Sequence, residues 1–402
     1  MKILIDVTRS PHTGIGHYSW GLLEYLNEND RKFEFIGLTF PELISKATIK
    51  SLKLLSIDHN PTNQKEVEEL SRLVDSSCDI YIPTNFSQIS NPRVPIIQVV
   101  HDLIYMLNPQ WQPTAEDLKI RHGIEMMEYV YNVFLPKIEN LKRVVGGKWN
   151  SIPCDSLVAR LYVYAQTYSI SRASSLITVS DTTKRSVDAY YVLNKPIETI
   201  YPIPLPFTDN RLGLHRKDPR NQYVFIYIAN FEPRKNIDIL LQALSLLPNE
   251  IRINSKLILI GRGLYNSHYT SGQRLLNEFS EKINIEWYKD VSEVEKNKLL
   301  LEADFMIYPS LDEGFGIPLL EAMIHKLPII TYLTPASQEV CGNSAIYYSD
   351  LEPESLMKII LKSIEQKNIR SKYESRLLKQ AERFRPLDVV VKFDRLVDKM
   401  LN

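Results

Sequence analysis

The sequence predicts an α/β protein with two domains, each built on a parallel sheet covered by helices. Short β-branched runs alternate with amphipathic helical patterns, and this alternation restarts after an interruption near the middle of the chain. The 402 residues are enough for two domains that each bury a core. A parallel sheet follows from the alternation, because each helix brings the chain back to start the next strand in the same direction.

The first domain is predicted over residues 1–205. Its predicted strands are the runs KILIDV, FEFIGLTF, CDIYIP, PIIQVVHD and SSLITVS. Residues 111–173 predict a long helical insertion before the last of these strands, with VVGGKWNSIP as its one clear break.

The second domain is predicted over residues 206–385. Its strands are the runs YVFIYIAN, KLILIG, INIEWY, DFMIYPS, LPIITY and AIYYS. Residues 201–221 contain four prolines and a polar run, which predict a linker rather than a strand. Residues 386–402 predict an amphipathic helix that packs back on the N-terminal domain.

Charge and cysteine content argue against several classes of protein. The 48 basic and 48 acidic side chains balance, so the net charge gives no reason to expect a nucleic-acid partner. The three cysteines are widely spaced, which argues against a disulfide framework or a zinc site. The sequence has no signal-peptide pattern and no apolar run of membrane-spanning length. We expect a cytoplasmic protein, and peripheral contact with the inner face of the membrane stays open.

The segment EGFGIPLLEAM, residues 313–323, predicts a turn that opens into a helix. Glu313 lies in the turn, Pro318 suits the first helical position, and Glu321 lies one turn inside the helix. The turn lets both carboxylates face one ligand, where they would accept hydrogen bonds from sugar hydroxyls while the helix start favours a phosphate. The alternative is an ordinary strand, turn and helix with an acid in its first turns.

Two loops of the first domain carry further candidate residues at predicted strand ends. Gly14 and Gly16 lie in TGIGHY, just before a helix, where glycines allow the backbone to approach a ligand closely. The loop lacks the third glycine of a dinucleotide fingerprint, and a simple tight turn is the alternative. His101 and Asp102 end the strand PIIQVVHD, where a histidine that only caps the strand is the alternative.

The second domain has two such loops. Arg234 and Lys235 precede the helix NIDILLQAL, and two cations at a helix start are unfavourable unless an anion such as a diphosphate binds there. A solvated turn is the alternative. Gly261, with Arg262 and Gly263, follows the strand KLILIG. Asp-x-Asp, H-E-x-x-H and Cys/His clusters are absent from the sequence, so we expect no metal and no cofactor.

Taken in order, TGIGHY, VVHDL, ITVSD, EPRKN, LILIGRG, EGFGIPLLEAM and TPASQEVCGNSA resemble the retaining glycosyltransferases of family 4. The resemblance spans residue 1 to about 347, and its most specific element is the E-x7-E motif matched by Glu313 and Glu321. It implies the GT-B fold, in which two facing Rossmann-like domains hold the site in the cleft between them.

The resemblance also implies roles for individual residues. Arg234 and Lys235 would bind the donor diphosphate, Glu321 the ribose hydroxyls, and Glu313 the transferred sugar. His101 would lie near the reacting face of that sugar. The catalytic set is His101, Arg234, Lys235 and Glu313, and the donor-binding set is Gly14, Gly16, Gly261, Phe315, Gly316, Ile317, Leu319 and Glu321.

The chain departs from the family pattern at a few positions. Ala229 and Asn230 stand where a glycine is common, Lys326 replaces the usual glycine after the EAM helix, and His17 replaces a frequent arginine. These departures concern local contacts.

The implied activity is metal-independent transfer of a sugar, with retention, from a nucleoside-diphosphate sugar to a glycan or lipid-linked oligosaccharide. GDP-mannose is the first donor to consider, and bacterial surface polysaccharide synthesis the setting that the family suggests. Two alternatives remain: a nucleotide-sugar 2-epimerase on the same fold, and a catalytically silent partner that only binds the donor.

Overall fold

The computed structural model describes residues 1–44, 52–86, 90–138, 140–203, 222–261, 274–366 and 368–402. The chain forms two units, one of Met1–Leu205 with Pro386–Asn402 and one of Pro206–Arg385. Most of the predicted linker, residues 204–221, lies outside the described residues, as do Arg262 and Gly263.

The C-terminal unit contains all six strands predicted for it. They are β8 (Tyr223–Ile228), β9 (Ser255–Ile260), β10 (Asn284–Tyr288), β11 (Phe305–Tyr308), β12 (Ile329–Tyr332) and β13 (Ile346–Tyr348). They pair in parallel in the order β10-β9-β8-β11-β12-β13, so the order reverses between β8 and β11. This is the strand order of a Rossmann sheet, in which ligands bind at the carboxyl ends of the strands beside the reversal.

The N-terminal unit has the five predicted strands and two that the sequence analysis missed. They are β1 (Lys2–Asp6), β2 (Glu34–Thr39), β3 (Lys53–Ser56), β4 (Ile80–Ile82), β5 (Ile97–Val100), β6 (Ser175–Thr178) and β7 (Ile197–Thr199). The pairings β3-β2-β1-β4 and β5-β6-β7 are parallel, and a bridge from Tyr81 to Ile96 joins β4 to β5. The missed strands β3 and β7 are the short outer ones, and they are only partly buried.

Helices alternate with most of the strands, as predicted, but the described residues between β4 and β5 contain no helix. In the N-terminal unit they are Gly14–Asn29 (α1), Pro41–Ile44 (α2), Gln64–Ser77 (α3), Ile104–Leu107 (α4), Ala115–His122 (α5), Ile124–Tyr129 (α6), Leu135–Ile138 (α7), Leu141–Val144 (α8), Leu157–Arg172 (α9), Asp181–Tyr190 (α10) and, from the chain end, Val389–Leu401 (α18). In the C-terminal unit they are Ile237–Ser245 (α11), Asn249–Arg252 (α12), Glu293–Glu302 (α13), Ile317–Ile324 (α14), Pro335–Cys341 (α15), Pro353–Glu365 (α16) and Ile369–Ala381 (α17), and residues 274–280 are also helical.

The insertion over residues 111–173 is helical, but it is more interrupted than predicted. Gly123, at a φ of 82°, separates α5 from α6, and a π-helical turn, Val130–Phe134, follows α6. The predicted break VVGGKWNSIP is not a plain loop, because it holds a 3₁₀ turn, Lys148–Ser151, with Trp149 fully buried against Tyr164 and Tyr191. The apolar indole anchors this segment in the core.

The C-terminal helix α18 packs on the first unit. Its Phe393 is fully buried against the rings of Phe33 and Phe35, and Lys32 pairs with Asp398 at 2.9 Å.

Gly14 and Gly16 lie in the first turn of α1 and not, as predicted, in a loop before the helix, and only position 16 requires glycine. A Cβ at Gly16 would lie 1.8 Å from the carbonyl oxygen of Ser10, whereas a Cβ at Gly14 would have no described atom within 4 Å. Thr13 caps the helix, because its hydroxyl accepts from the Gly16 N–H at 3.1 Å.

We therefore expect Gly16→Ala to lower the free energy of unfolding by about 1–3 kcal/mol, the usual cost of forcing extra atoms into a packed site. Gly14→Ala is the matched control and should leave stability unchanged or slightly higher, since alanine favours a helix. Thermal unfolding of the two variants measures the difference. Equal melting temperatures would contradict the steric requirement at Gly16.

Candidate active site

Three of the predicted site residues come together at the strand reversal of the C-terminal sheet. Arg234 and Lys235 follow β8 in a 3₁₀ turn, Pro233–Lys235, and Glu313 follows β11. Since β8 and β11 are adjacent and parallel, both loops leave the same edge of the sheet. The helix α11 begins at Ile237, so the two cations precede that helix and do not lie inside it.

The carboxylate of Glu313 is shared by both cations. Lys235 Nζ lies 2.5 Å from Oε1, and Arg234 Nη1 lies 3.1 Å from Oε2. Glu313 is 9% exposed, and the Arg234 and Lys235 side chains are 13% and 12% exposed. A buried carboxylate that contacts two cations is a strong electrostatic anchor, because little water screens it.

Three further residues of this cluster were not assigned a role from the sequence. Tyr308 Oη and Ser310 Oγ donate to Glu313 Oε1 at 2.7 and 2.6 Å, and Glu232 Oε2 accepts from Arg234 Nε at 2.9 Å. Tyr308 and Ser310 belong to the predicted strand DFMIYPS. Both residues lie at the carboxyl end of that strand, which borders the site, and this position could have indicated their role.

Burial and charge act in opposite directions on the Glu313 carboxyl group. Burial raises its pKa, but Lys235 and Arg234 outweigh that effect and lower the pKa to about 2. Burial, together with the charge of Arg234, lowers the pKa of Lys235, and Glu313 opposes this. The carboxylate of Glu313 is therefore ionised near neutral pH.

Glu321 belongs to a second ion pair, and its partner was missed from the sequence. Lys296 Nζ, on α13, donates to Glu321 Oε1 at 2.6 Å and lies 2.9 Å from Glu293 Oε2. No local pattern in the sequence indicates this pair, because 25 residues separate Lys296 from Glu321.

The helix α14 begins at Ile317, so Pro318 is its second residue rather than its first as predicted. Gly316 precedes it with a φ of 95°, a conformation that favours glycine. The side chain of Phe315 is buried and packs edge-to-face on Phe384.

Leu319, predicted to bind the donor, is fully buried, and its N–H donates to the carbonyl oxygen of Gly316. We therefore correct its assignment to a core residue, because neither its side chain nor its N–H is available to a ligand.

Gly261 and Lys326, which the sequence analysis singled out, both have a positive φ angle. Gly261 has a φ of 150°, and a Cβ there would lie 1.9 Å from the carbonyl oxygen of Ala229 at the end of β8. Glycine is therefore required where β8 and β9 end. Lys326, which replaces the usual family glycine, takes a φ of 54° and pairs with Glu374 at 2.5 Å. This ion pair accompanies a backbone conformation that is unfavourable for lysine.

In the N-terminal unit, His101 lies at the carboxyl end of β5, half-buried. Its Nε2 is 2.9 Å from the carbonyl oxygen of Thr84, and Tyr18 packs edge-on against its ring. Burial lowers the pKa of His101 to about 4, so the imidazole is neutral near pH 7. Since a carbonyl only accepts, Nε2 carries the proton and Nδ1 is the acceptor.

His17, at the position of a frequent family arginine, is buried and contacts Ile203.

Among the described residues, His, Cys, Asp and Glu form no group of three or more suited to a metal ion. No helix in the described part of the chain is long and apolar enough to cross a membrane.

Comparison with known proteins shows which proteins the chain resembles. Residues 215–382 match the family model of glycosyl transferases group 1. The chain is 29% identical over 214 residues to the O-antigen chain mannosyltransferase RfbU of Salmonella typhimurium, which covers 53% of this chain and 57% of the relative. It is 29% identical over 226 residues to the O-antigen chain mannosyltransferase B of Escherichia coli, covering 54% and 58%. The chain thus matches less than two thirds of the length of these relatives.

A solved structure extends the similarity of the fold to nearly the whole chain. Anabaena Alr3699/HepE, crystallised with UDP and glucose, has a TM-score of 0.66 and 14% sequence identity over 99% of both chains. The predicted GT-B fold class and the resemblance to glycosyltransferases are thereby confirmed. Membership of family 4, the cleft and the roles of the individual site residues stay predictions.

Because the pKa of Glu313 is lowered in the folded protein, its ionisation stabilises the fold above the pKa of an unfolded glutamate, about 4.3. That contribution is lost as the pH falls from there towards about 2. Glu313→Gln should therefore destabilise by about 3 kcal/mol at pH 7, with a smaller deficit near pH 3. Urea unfolding of both proteins at the two pH values measures this. A deficit that does not change with pH would contradict the assignment.

Proposed function

We propose that the protein is a glycosyltransferase that moves a sugar from a nucleoside-diphosphate sugar to a hydroxyl of a glycan or lipid-linked acceptor. The observation that supports it best is the pair of cations, Arg234 and Lys235, held by Glu313 where the strand order reverses. A diphosphate brings the negative charge that two adjacent cations favour, and oxygen-rich sugars suit the neighbouring carboxylates. The named relatives are transferases, which favours transfer over the 2-epimerase alternative.

The proposed reaction needs charge stabilisation more than a side-chain base. As the bond from the sugar to the diphosphate breaks, negative charge grows on the leaving oxygen, and Arg234 and Lys235 are the groups to stabilise it. The acceptor hydroxyl attacks from the face that the diphosphate leaves, and its proton passes to the leaving phosphate, so the configuration is retained. Tight positioning of the two reactants supplies much of the remaining rate. The reaction requires no metal ion.

The donor is proposed at the level of its class, with mannose as the first sugar to test. The relatives are named as O-antigen chain mannosyltransferases, whereas HepE was crystallised with UDP and glucose. GDP-mannose and UDP-glucose are therefore the leading candidates. An acceptor in surface polysaccharide synthesis would bring the protein to the membrane as a peripheral partner.

A transfer assay tests this proposal. The protein is incubated in excess EDTA with GDP-mannose, UDP-glucose and other nucleotide sugars, together with lipid-linked and glycan acceptors. We expect release of the nucleoside diphosphate and an acceptor product with the anomeric configuration of the donor, read by NMR. Altered sugar released without acceptor would instead support an epimerase. Loss of activity in EDTA with recovery on adding Mg²⁺ would contradict metal independence.

Arg234→Ala and Lys235→Ala should each lower kcat/KM by about 10²–10³-fold, because each removes charge from the developing diphosphate anion. Lys298→Ala is the matched control, since Lys298 is an exposed cation of the same unit, and it should keep wild-type kinetics. Steady-state kinetics with the active donor measure this. Wild-type kcat/KM in both site variants would rule out the diphosphate assignment.

Glu313 and Glu321 should act on different halves of the donor. Glu321→Gln weakens the acceptor for the ribose hydroxyls, so it should reduce the affinity for the donor and the free nucleoside diphosphate alike. Glu313→Gln should not weaken binding of the free nucleotide, because it leaves both cations in place, but it should lower turnover of the complete donor. Calorimetric titration beside turnover separates the two. Equal loss of nucleotide affinity would contradict this division.

A further inference from the structure

The lysine that pairs with Glu321 has no role in the function proposed so far. Lys296 Nζ donates to Glu321 Oε1 at 2.6 Å and to Glu293 Oε1 at 3.0 Å. The side chains of Lys296 and Glu321 are only 12% and 13% exposed, whereas that of Glu293 is 36% exposed. The ammonium group of Lys296 thus contacts two carboxylates, of which that of Glu321 is the more buried.

The contact with Lys296 uses only one oxygen of the Glu321 carboxylate. Oε2 of Glu321 has no hydrogen-bond partner within the described part of the chain. The carboxylate lies on α14, and Lys296 lies on α13, so the pair also fixes the rotation of the Glu321 side chain relative to a neighbouring helix. A carboxylate held by one oxygen presents the other in a defined direction.

Lys296 carries its positive charge beside the Glu321 carboxylate in a place with little water. Burial lowers the pKa of Lys296, but Glu321 and Glu293 outweigh this and raise it. Lys296 is therefore protonated near neutral pH. A carboxylate accepts hydrogen bonds from hydroxyls about twice as strongly as a neutral group does, which suits a glutamate to sugar recognition.

We propose that Lys296 is a positioning residue that holds Glu321 Oε1, so that Oε2 accepts from the ribose 2′-hydroxyl and the site selects ribonucleotides over 2′-deoxyribonucleotides. This inference rests on the proposed function, because it uses the role of Glu321 at the donor ribose. A site built to bond a hydroxyl disfavours the analogue that lacks it, since the buried acceptor is then left unpaired.

The simpler explanation is that the pair only ties α13 to α14. That role affects the stability of the unit, but it gives no reason for a change in the preference between ribose and 2′-deoxyribose. The ratio of the two affinities therefore separates positioning from a purely structural contact.

The test uses the full chain and calorimetric titration with UDP, GDP and their 2′-deoxy counterparts. The variants are Lys296→Met, Glu321→Gln, the double variant, and Lys298→Met as the control, since Lys298 is an exposed lysine on the same helix. For the nucleotide that the wild type binds, Lys296→Met should weaken ribonucleotide binding about tenfold, the loss expected for one charge-assisted hydrogen bond. Binding of the 2′-deoxy analogue should change much less, and the double variant should lose little beyond Glu321→Gln.

Lys296→Arg should keep part of the preference for ribose, because it retains the charge. Thermal unfolding shows whether each variant is folded, and Lys296→Gln replaces Lys296→Met if the latter does not fold. If Lys296→Met loses stability but keeps the wild-type ratio of affinities, the inference is wrong while the proposed function stands. If Glu321→Gln binds the ribonucleotide as the wild type does, the ribose contact of Glu321 in the proposed function is contradicted as well. If the wild type binds neither UDP nor GDP, both leading donors are excluded and the inference fails with them.

Discussion

The candidate site depends on one buried carboxylate that holds two cations. Without Glu313, Arg234 and Lys235 would lie side by side at a sheet edge with little water to screen their repulsion. Removing one partner of such a buried pair typically costs about 3–5 kcal/mol, because the remaining charge stays in a poorly hydrated place. The loops after β8 and β11 are therefore held to each other by this contact. Tyr308 and Ser310 strengthen it by donating to the same carboxylate oxygen.

The same arrangement implies that an anion entering the site competes with protein carboxylates. Arg234 contacts Glu232 and Glu313, and Lys235 contacts Glu313, so each cation already has a carboxylate partner within the protein. A diphosphate has enough oxygens to take over contacts from Glu313. The carboxylate of Glu313 would then be available for a sugar hydroxyl. The ion pairs in the structure are therefore compatible with the contact between Glu313 and the sugar that the resemblance implies.

The two glutamates of the E-x7-E motif thus belong to different polar networks. Glu313 joins the strand ends at the reversal of the sheet, and Glu321 joins α14 to α13 through Lys296. The core residues Phe315 and Leu319 lie between them in sequence and anchor the turn and the helix in the unit. The spacing of the motif therefore reflects a packed turn and helix that present two carboxylates to separate surroundings.

The sequence by itself determined the α/β class and the parallel strands, and it predicted the candidate site residues. It did so because strand periodicity, glycine loops and cations at strand ends are local patterns that adjacent residues reveal. The short outer strands β3 and β7 were missed, since they are partly exposed and carry little apolar signal. Only the tertiary structure decided three features of the site. Leu319 is a core residue, Glu313 forms ion pairs with both cations, and Lys296 pairs with Glu321. The ion pairs join residues that are 25 to 79 positions apart in the chain, and local patterns do not show such contacts. The burial of Leu319 depends on which face of α14 packs on the core, and this is known only once the chain is folded.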